Sequence, residues 1–288
     1  MQAKSKPAFP SSSIGVREEN PESFTAYVAL IEELQSTTQN SLWFRGCGRR
    51  AHPLIPTFYR HETVTSRDKL ESLERQMMVR FRQRSIPLHN RQLTDEWDAL
   101  FFMQHYGVPT RLLDWTENPF IAFYFAVMSC PFAQKKRRAG SSSELSFSSD
   151  AAIWVLDPAI WNNHALSQQG YDRGVLTPGD AALHPYKPLT KFDEIPIHPV
   201  ALYGAHNSPR IVAQRGVFTI FGQSTTAMET AYQRYKFPND CLLKINLKRA
   251  VLAKMRTSIL KYGITESVVF PDLEGLAREM RREFKFAS

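Results

Sequence analysis

Cysteine is scarce in this chain of 288 residues. The three cysteines, Cys47, Cys130 and Cys241, are odd in number and lie far apart in the sequence. That pattern argues against a disulfide framework and favours a reducing compartment. No C-x-x-C or H-E-x-x-H motif occurs, so a structural zinc or zincin site is not expected either. We therefore expect a cytoplasmic protein without a metal.

The sequence motifs of several large functional classes are also missing. No Walker A loop, no G-x-G-x-x-G after a strand and no G-x-S-x-G occur, which argues against P-loop phosphoryl transfer, a Rossmann dehydrogenase and an α/β-hydrolase. RNA-recognition, zinc-finger and helix-turn-helix patterns are absent too. No apolar run reaches the length of a membrane span, and the first residues lack the apolar segment of a signal peptide. No membrane partner is expected.

Aromatic residues and positive charge are plentiful. The chain has 19 Phe, 10 Tyr and 5 Trp, and 43% of it is hydrophobic, which supplies enough burial for a globular fold. Its formal net charge is +8, with a pI of about 9.4. This balance favours anionic partners such as nucleic acid or nucleotide phosphates. A merely solubilising charge is an equally weighted alternative.

Hydrophobic periodicity and breaker residues predict helices and strands in an irregular order. Helices are expected from about residue 21 and over 67–84, 95–106, 120–128, 249–262 and 273–284. Strands are expected over 41–45, 151–156, 212–221 with a break at Gly216, 241–247 and 267–270. Because this is no regular βαβ alternation, the predicted class is α+β, a mixed, mainly antiparallel sheet with surrounding helices.

Composition predicts the domain organisation. Residues 1–20 are rich in Ser, Pro and charge and are expected to form a flexible N-terminal arm. Residues 133–150 are first basic and then rich in Gly and Ser, which is typical of a solvated, flexible insertion. The remaining chain, 21–288, is expected to form a single domain.

The first candidate site is the segment Trp43-Phe44-Arg45-Gly46. An arginine beside glycines at the end of an apolar strand can present its guanidinium to a phosphate or carboxylate, and Gly46 would let a ligand approach the backbone. A structural arginine paired with a buried acid is an equally good interpretation.

The second is the polar stretch Gln104–Thr116 between two apolar helices. Buried polar groups must be hydrogen-bonded, so these either satisfy one another or await a ligand. A lone histidine such as His105 is more often structural. For the whole stretch we predict one polar network of His105, Arg111 and Asp114 at the floor of the principal pocket, with Arg111 or Arg45 paired to Asp114.

Two further segments are weaker signals. Gln214 and Arg215 flank the predicted strand break, where a side chain can be aimed at a cleft. Taken without the other two segments, an edge strand with polar outer residues is the preferred interpretation. Asp272 is expected to cap the last helix, and Glu274 suits the first turn of that helix.

Together these segments resemble the FRG domain, named for its Phe-Arg-Gly tripeptide. The resemblance rests on Trp-Phe-Arg-Gly, Gln-His-Tyr-Gly-Val-Pro-Thr-Arg-Leu-Leu-Asp-Trp-Thr-Glu-Asn-Pro, Ala-Phe-Tyr-Phe-Ala, Arg-Ile-x-x-Gln-x-Gly-Val-Phe and Phe-Pro-Asp-Leu-Glu-Gly-Leu. It runs from about residue 40 to about residue 277.

The order of the motifs is similar to that of distant ADP-ribosyltransferases, which implies such a fold and NAD as the substrate. By that resemblance the cofactor-binding residues are Arg45, Gly46, Arg111, Thr116 and Tyr124, with Arg45 on the pyrophosphate. The catalytic residues are His105, Asp114 and Gln214. Gln214 stands where the resemblance implies a glutamate, so either another acid, such as Asp114, Asp272 or Glu266, takes that role or the site binds without cleaving.

The resemblance implies a bacterial toxin or anti-phage effector that modifies a protein or nucleic-acid acceptor, with a regulatory or antitoxin protein as a further partner. The alternative is a non-catalytic nucleotide- or nucleic-acid-binding module of a defence system. A third hypothesis is a protein-interaction subunit of such a system.

Overall fold

A computed structural model describes residues 15–89, 93, 95–135, 144–205, 208–238 and 241–286. Over those residues the helices are α1 Phe24–Ser36, α2 Arg67–Ser85, α3 Glu96–His105, α4 Pro119–Met128, α5 Pro158–Ala165, α6 Pro209–Gln214, α7 Met228–Arg234, α8 Arg249–Lys261, α9 Glu266–Val269 and α10 Leu273–Glu283. The strands are β1 Arg17–Glu19, β2 Trp43–Cys47, β3 Leu112–Thr116, β4 Phe132–Lys135, β5 Glu144–Phe147, β6 Ala151–Leu156, β7 Val200–Leu202, β8 Gly216–Ile220 and β9 Leu242–Leu247.

Seven of these strands form one sheet in the order β1-β9-β6-β2-β3-β8-β7. Every neighbouring pair is antiparallel except β1 and β9, which run parallel. The predicted class, a mixed and mainly antiparallel sheet with surrounding helices, is confirmed. Helices and strands interleave irregularly along the chain.

The sheet is covered on both faces. Side chains alternate along β2, so Phe44 packs toward α1, α4 and α8 while Trp43 and Cys47 lie on the opposite face. The apolar cluster on that opposite face includes Trp115, Trp154 and Trp161, among other residues. Because the central strands are buried on both faces, β6 is apolar at every position.

Helix α4 is held unusually close to β2. Asn118 caps it by accepting from the backbone N–H groups of Phe120 and Ile121, and Pro119 occupies its first turn. A Cβ atom at Gly46 would overlap the carbonyl oxygen of Ala122 and the backbone of Ala126. Gly46 therefore serves the contact between strand and helix, and its expected role in ligand approach stays a prediction.

The last helix packs through its polar side. In α10 the residues nearest the domain are Gly275, Glu279 and Arg282, and Glu279 accepts from the backbone N–H of Ser267. Leucine, methionine and phenylalanine side chains point to solvent: Leu273, Leu276, Met280 and Phe284. The prediction of a strand over 267–270 is wrong, since α9 occupies Glu266–Val269 and its last turn supports α10.

Two segments that are expected to be flexible contain strands. Residues Arg17–Glu19, placed in the N-terminal arm, form β1 and pair with β9, because the sheet edge offers them backbone partners. The arm's residues 1–14 lie outside the described residues. In the 133–150 insertion, β4 and β5 pair as an antiparallel hairpin, while 136–143 also lie outside the described part. Within the described ranges no helix is both long and apolar enough to span a bilayer.

Candidate functional site

The central sheet separates between β2 and β3. These strands share one aligned pair, Phe44 with Thr116, whereas β2 aligns five residues with β6 and β3 aligns five with β8. A cleft of about 870 Å³ opens over this separation, which is a typical volume for a ligand site. Its walls come from β2, β3, the end of α3, α6 and the start of α10.

Arg45 bridges the separation. Its Nη1 donates to the carbonyl oxygen of Asp114 at 2.5 Å and lies 4.0 Å from the carboxylate Oδ2 of the same residue. The Nε atom is buried and has no hydrogen-bond partner in the described residues. A guanidinium has five N–H donors, and the Asp114 carbonyl takes one of them, so terminal N–H groups remain on a side chain that lines the cleft. These suit an anionic oxygen.

Gln104 and Thr110 position the carboxylate of Asp114. Gln104 Nε2 donates to Asp114 Oδ2 at 2.8 Å, and Thr110 Oγ1 donates to Gln104 Oε1 at 2.6 Å. The threonine thereby fixes which end of the amide faces the acid. The Asp114 side chain is 57% exposed, so the carboxylate stays accessible to a ligand. The expected partnership of Asp114 with Arg45 is confirmed.

Arg111 does not belong to that network, and the prediction that His105, Arg111 and Asp114 form one network is wrong: the hydrogen bonds of Asp114 are to Gln104 and Arg45, and that of His105 is to Ser208. The Arg111 side chain is fully buried, and Nε donates to Glu74 Oε1 at 2.7 Å. Its two terminal nitrogens donate to the carbonyl oxygens of Phe221 and Tyr186. A buried charge needs such compensation. Glu74 lies 37 residues earlier in the chain, so short-range sequence patterns do not reveal this pair.

His105 lies at the rim of the cleft, at the end of α3. Its Nδ1 is 3.4 Å from Ser208 Oγ, and Ser208 also caps α6 by accepting from the N–H of Ile211. Burial lowers the pKa of His105, and the positive charge of Arg210 lowers it further. His105 is therefore neutral at physiological pH and able to accept a proton.

Thr116 and Gln214 join β3 to α6. Thr116 Oγ1 donates to the carbonyl oxygen of Gln214 at 2.5 Å, and Gln214 Nε2 donates to the carbonyl oxygen of Val269 at 3.0 Å. The predicted strand over 212–221 is wrong in its first part, because Pro209–Gln214 is helical and the strand begins at Gly216. The Gln214 amide thus ties two helices together beside the cleft.

Six of the eight predicted site residues line this one cleft: Arg45, Gly46, His105, Asp114, Thr116 and Gln214. Arg111 and Tyr124 do not. Tyr124 is buried beside Ile121 and Val269, and burial raises its pKa, as does the nearby carboxylate of Glu266. Tyr124 points into the α4–α9 interface, which corrects its assignment to the ligand site. The functional roles of the six remain predictions.

Asp272 and Glu266, the two other acids considered for the site, both stabilise local structure. Asp272 caps α10 by accepting from the N–H of Gly275 at 2.7 Å, as expected, and also lines the cleft. Glu266 is buried and accepts from Arg282 Nε through both carboxylate oxygens. Glu274 lines the cleft and pairs with Arg278. No cluster of three or more metal-binding side chains occurs in the described portion of the chain.

The sequence patterns did not indicate a further group of polar residues at the cleft, which consists of Thr57, Arg60 and His52. A short 3₁₀ turn, Thr57–Arg60, follows Pro56 and places Thr57 in the cleft wall. Arg60 Nη2 donates to Thr57 Oγ1 at 2.7 Å, and Arg60 Nη1 lies 2.9 Å from His52 Nε2. The sequence signal for this group is the density of basic residues after the first motif, at 49, 50, 52 and 60.

The fold and site define an α+β protein with a ligand-sized cleft at a separation in its central sheet. The family model of the FRG domain matches residues 40–135, a third of the chain. That range contains both separated strands, β2 and β3, together with α2, α3 and α4. The resembling segments near 210–218 and 270–276 lie beyond the matched range. No curated protein and no solved structure matches the chain.

Proposed function

We propose that the cleft binds NAD and that the protein cleaves its nicotinamide–ribose bond, as an ADP-ribosyltransferase or NAD glycohydrolase. The observation that carries the proposal is the pair formed by Arg45 and Asp114 across the separated strands. One side chain offers its guanidinium in the cleft lining to a diphosphate, and the other offers an accessible carboxylate to a developing positive charge.

The roles follow from the charges. Arg45 binds the diphosphate. Asp114 stabilises the positive charge that develops at ribose C1′ as the C1′–N bond breaks and its electron pair leaves with neutral nicotinamide. An acceptor hydroxyl, amide or water then forms the new bond to C1′ and releases its proton. Neutral His105 is the base at the rim that takes this proton.

Thr116 and Gln214 are assigned to the nicotinamide–ribose side of the cleft. Their contacts place a hydroxyl and an amide beside the strand that carries Asp114. Gln214 is neutral, so it contributes hydrogen bonding and not charge. The acid required by the chemistry is then Asp114.

The direct test is incubation of the purified protein with NAD that carries label in its adenosine half, with and without cell lysate. Nicotinamide release is measured by chromatography, and label transfer by gel and by nucleic-acid precipitation. Asp114→Asn is the matched variant because its volume is nearly unchanged. Release by the wild type and its loss in the variant support the proposal. Equal, background-level release by both proteins refutes catalysis.

A biological role as a toxin or anti-phage effector rests on the family resemblance, and the net charge of +8 favours a nucleic-acid acceptor over a protein one. Expression of the wild type should then slow bacterial growth. Arg45→Ala should relieve the inhibition at equal protein level. A regulatory or antitoxin protein is the partner that such an activity requires in its host.

A second candidate is a non-catalytic module that binds a nucleotide or nucleic acid. The observation in its favour is that Gln214 stands where a glutamate is expected. Its amide donates to the carbonyl oxygen of Val269. Binding to single-stranded oligonucleotides should then weaken steeply between low and physiological salt, since counterion release dominates such binding. Salt-independent binding argues against this candidate.

A further inference from the structure

Arg60 has no acidic side chain as a partner among the described residues. Its guanidinium contacts are both to neutral groups, the Thr57 hydroxyl and the His52 ring. Because an arginine always donates, His52 Nε2 must be the acceptor in that contact, and the ring is neutral there. Within the part of the chain that the structure describes, no carboxylate pairs with Arg60.

The turn that carries Arg60 is firmly placed. In a 3₁₀ turn, residues three apart eclipse, so Thr57 and Arg60 project from the same side. Phe58 is buried in the core between them, and the Tyr59 hydroxyl donates to the carbonyl oxygen of Gly222 at 2.9 Å. Thr57 lines the cleft, and the Arg60 guanidinium lies directly behind it, because Nη2 donates to the Thr57 hydroxyl.

Arg60 also lies within electrostatic reach of Arg45. Burial lowers the pKa of Arg60, and the charge of Arg45 lowers it further. Burial likewise lowers the pKa of His52, followed by the charges of Arg60, Arg45 and Arg49. The charges of three arginines thus act on one neutral histidine, and Arg60 contacts it directly. Like charges held together favour the binding of an anion between them.

We propose that Thr57 and Arg60 form a second phosphate subsite next to Arg45, so that the two arginines hold the two phosphoryl groups of one diphosphate ligand. This deepens the proposed function, since it rests on a dinucleotide occupying the cleft. A diphosphate fits better than a nucleic-acid backbone because Thr57 and Arg45 line the same cleft. Successive backbone phosphates of an oligonucleotide would need an extended surface instead.

The test compares inorganic pyrophosphate with inorganic phosphate by isothermal titration at low salt. The wild type should bind pyrophosphate about tenfold more tightly than phosphate, as one additional charge-assisted contact implies. Arg60→Gln should remove most of that difference, and Thr57→Ala part of it. Arg173→Gln is the matched control, since Arg173 is an exposed arginine away from the cleft and loses the same charge. It should leave both affinities unchanged.

Equal affinity of the wild type for the two anions, or equal effects of Arg60→Gln and Arg173→Gln, overturns the subsite. A further arm titrates ADP-ribose and a short single-stranded oligonucleotide. If Arg60→Gln weakens only the oligonucleotide, the subsite belongs to nucleic acid and the diphosphate assignment is wrong. If pyrophosphate and ADP-ribose bind through Arg60 but NAD is never cleaved, the proposed reaction fails while the subsite stands.

Discussion

Arg45 contacts Asp114 twice, through a 2.5 Å hydrogen bond to its backbone carbonyl and at 4.0 Å from its carboxylate. The first contact substitutes for the ladder hydrogen bonds that β2 and β3 cannot form once they have separated. The second is long enough for the carboxylate to exchange its partner when a ligand arrives. Arg45 therefore links the two separated strands and also lines the cleft. The structural and the ligand-binding interpretations of this residue are compatible.

Asp114→Asn should abolish NAD cleavage and change stability little. The side chain is 57% exposed, and asparagine can still accept from Gln104. The change in unfolding free energy should stay within about 0.5 kcal/mol, as for other surface substitutions. Thermal unfolding and nicotinamide release are measured on the same preparations. A large fall in melting temperature would show that Asp114 is a structural acid.

Arg111→Ala should destabilise the protein strongly through Glu74. Removing one member of a buried ion pair costs about 3–5 kcal/mol because the other charge stays buried and unpaired. Denaturant unfolding measures this loss. The double variant Arg111→Met, Glu74→Met should recover much of it, since both charges are then gone. If Arg111→Ala instead unfolds normally but loses ligand binding, Arg111 belongs to the site after all.

Gly46→Ala should cost about 3 kcal/mol, the upper part of the range for overpacking, because the new methyl group meets the backbone of α4. A backbone contact cannot be relieved by a rotamer change. Gly179→Ala is the control, since nothing lies near its added Cβ and its φ is not left-handed. Urea unfolding of both variants checks the difference. Equal midpoints would show that α4 can move away from β2.

Features encoded within a few residues were predicted well. β6 has the predicted bounds, Asn118 and Pro119 open α4, and Asp272 caps α10. Each depends on a cap, a breaker or an apolar run that a short window contains. The signal for α6 was equally local, a Ser208 cap with Pro209 after it, but the β-branched residues that follow favoured a strand.

The features that sequence patterns do not predict depend on residues that are far apart in the chain. Arg111 and Asp114 both lie in one polar segment, yet Asp114 turns to the cleft and Arg111 turns to Glu74 in α2. Residue type cannot decide between these partners, because either acid satisfies an arginine. The separation of β2 from β3 is likewise a property of the whole sheet. It is the feature that turns six dispersed residues into one site.

The pH dependence of the reaction should report His105. Burial and then the charge of Arg210 lower its pKa below the usual 6.5, so the neutral, proton-accepting form persists to a lower pH. Activity should therefore be lost only as pH falls below about 6.5, the usual histidine value. His105→Asn should remove this acid limb together with most of the rate.

The variant Arg210→Gln tests whether His105 is the base that titrates. Loss of the neighbouring positive charge raises the pKa of His105, so the acid limb should move to higher pH while the rate at pH 8 changes less. Arg234→Gln, which removes an exposed arginine at the end of α7, is the charge-matched control and should leave the profile in place. Rates of nicotinamide release between pH 5 and 8 are measured under saturating NAD. An acid limb that stays fixed in Arg210→Gln, or that survives in His105→Asn, assigns the titrating base to another residue.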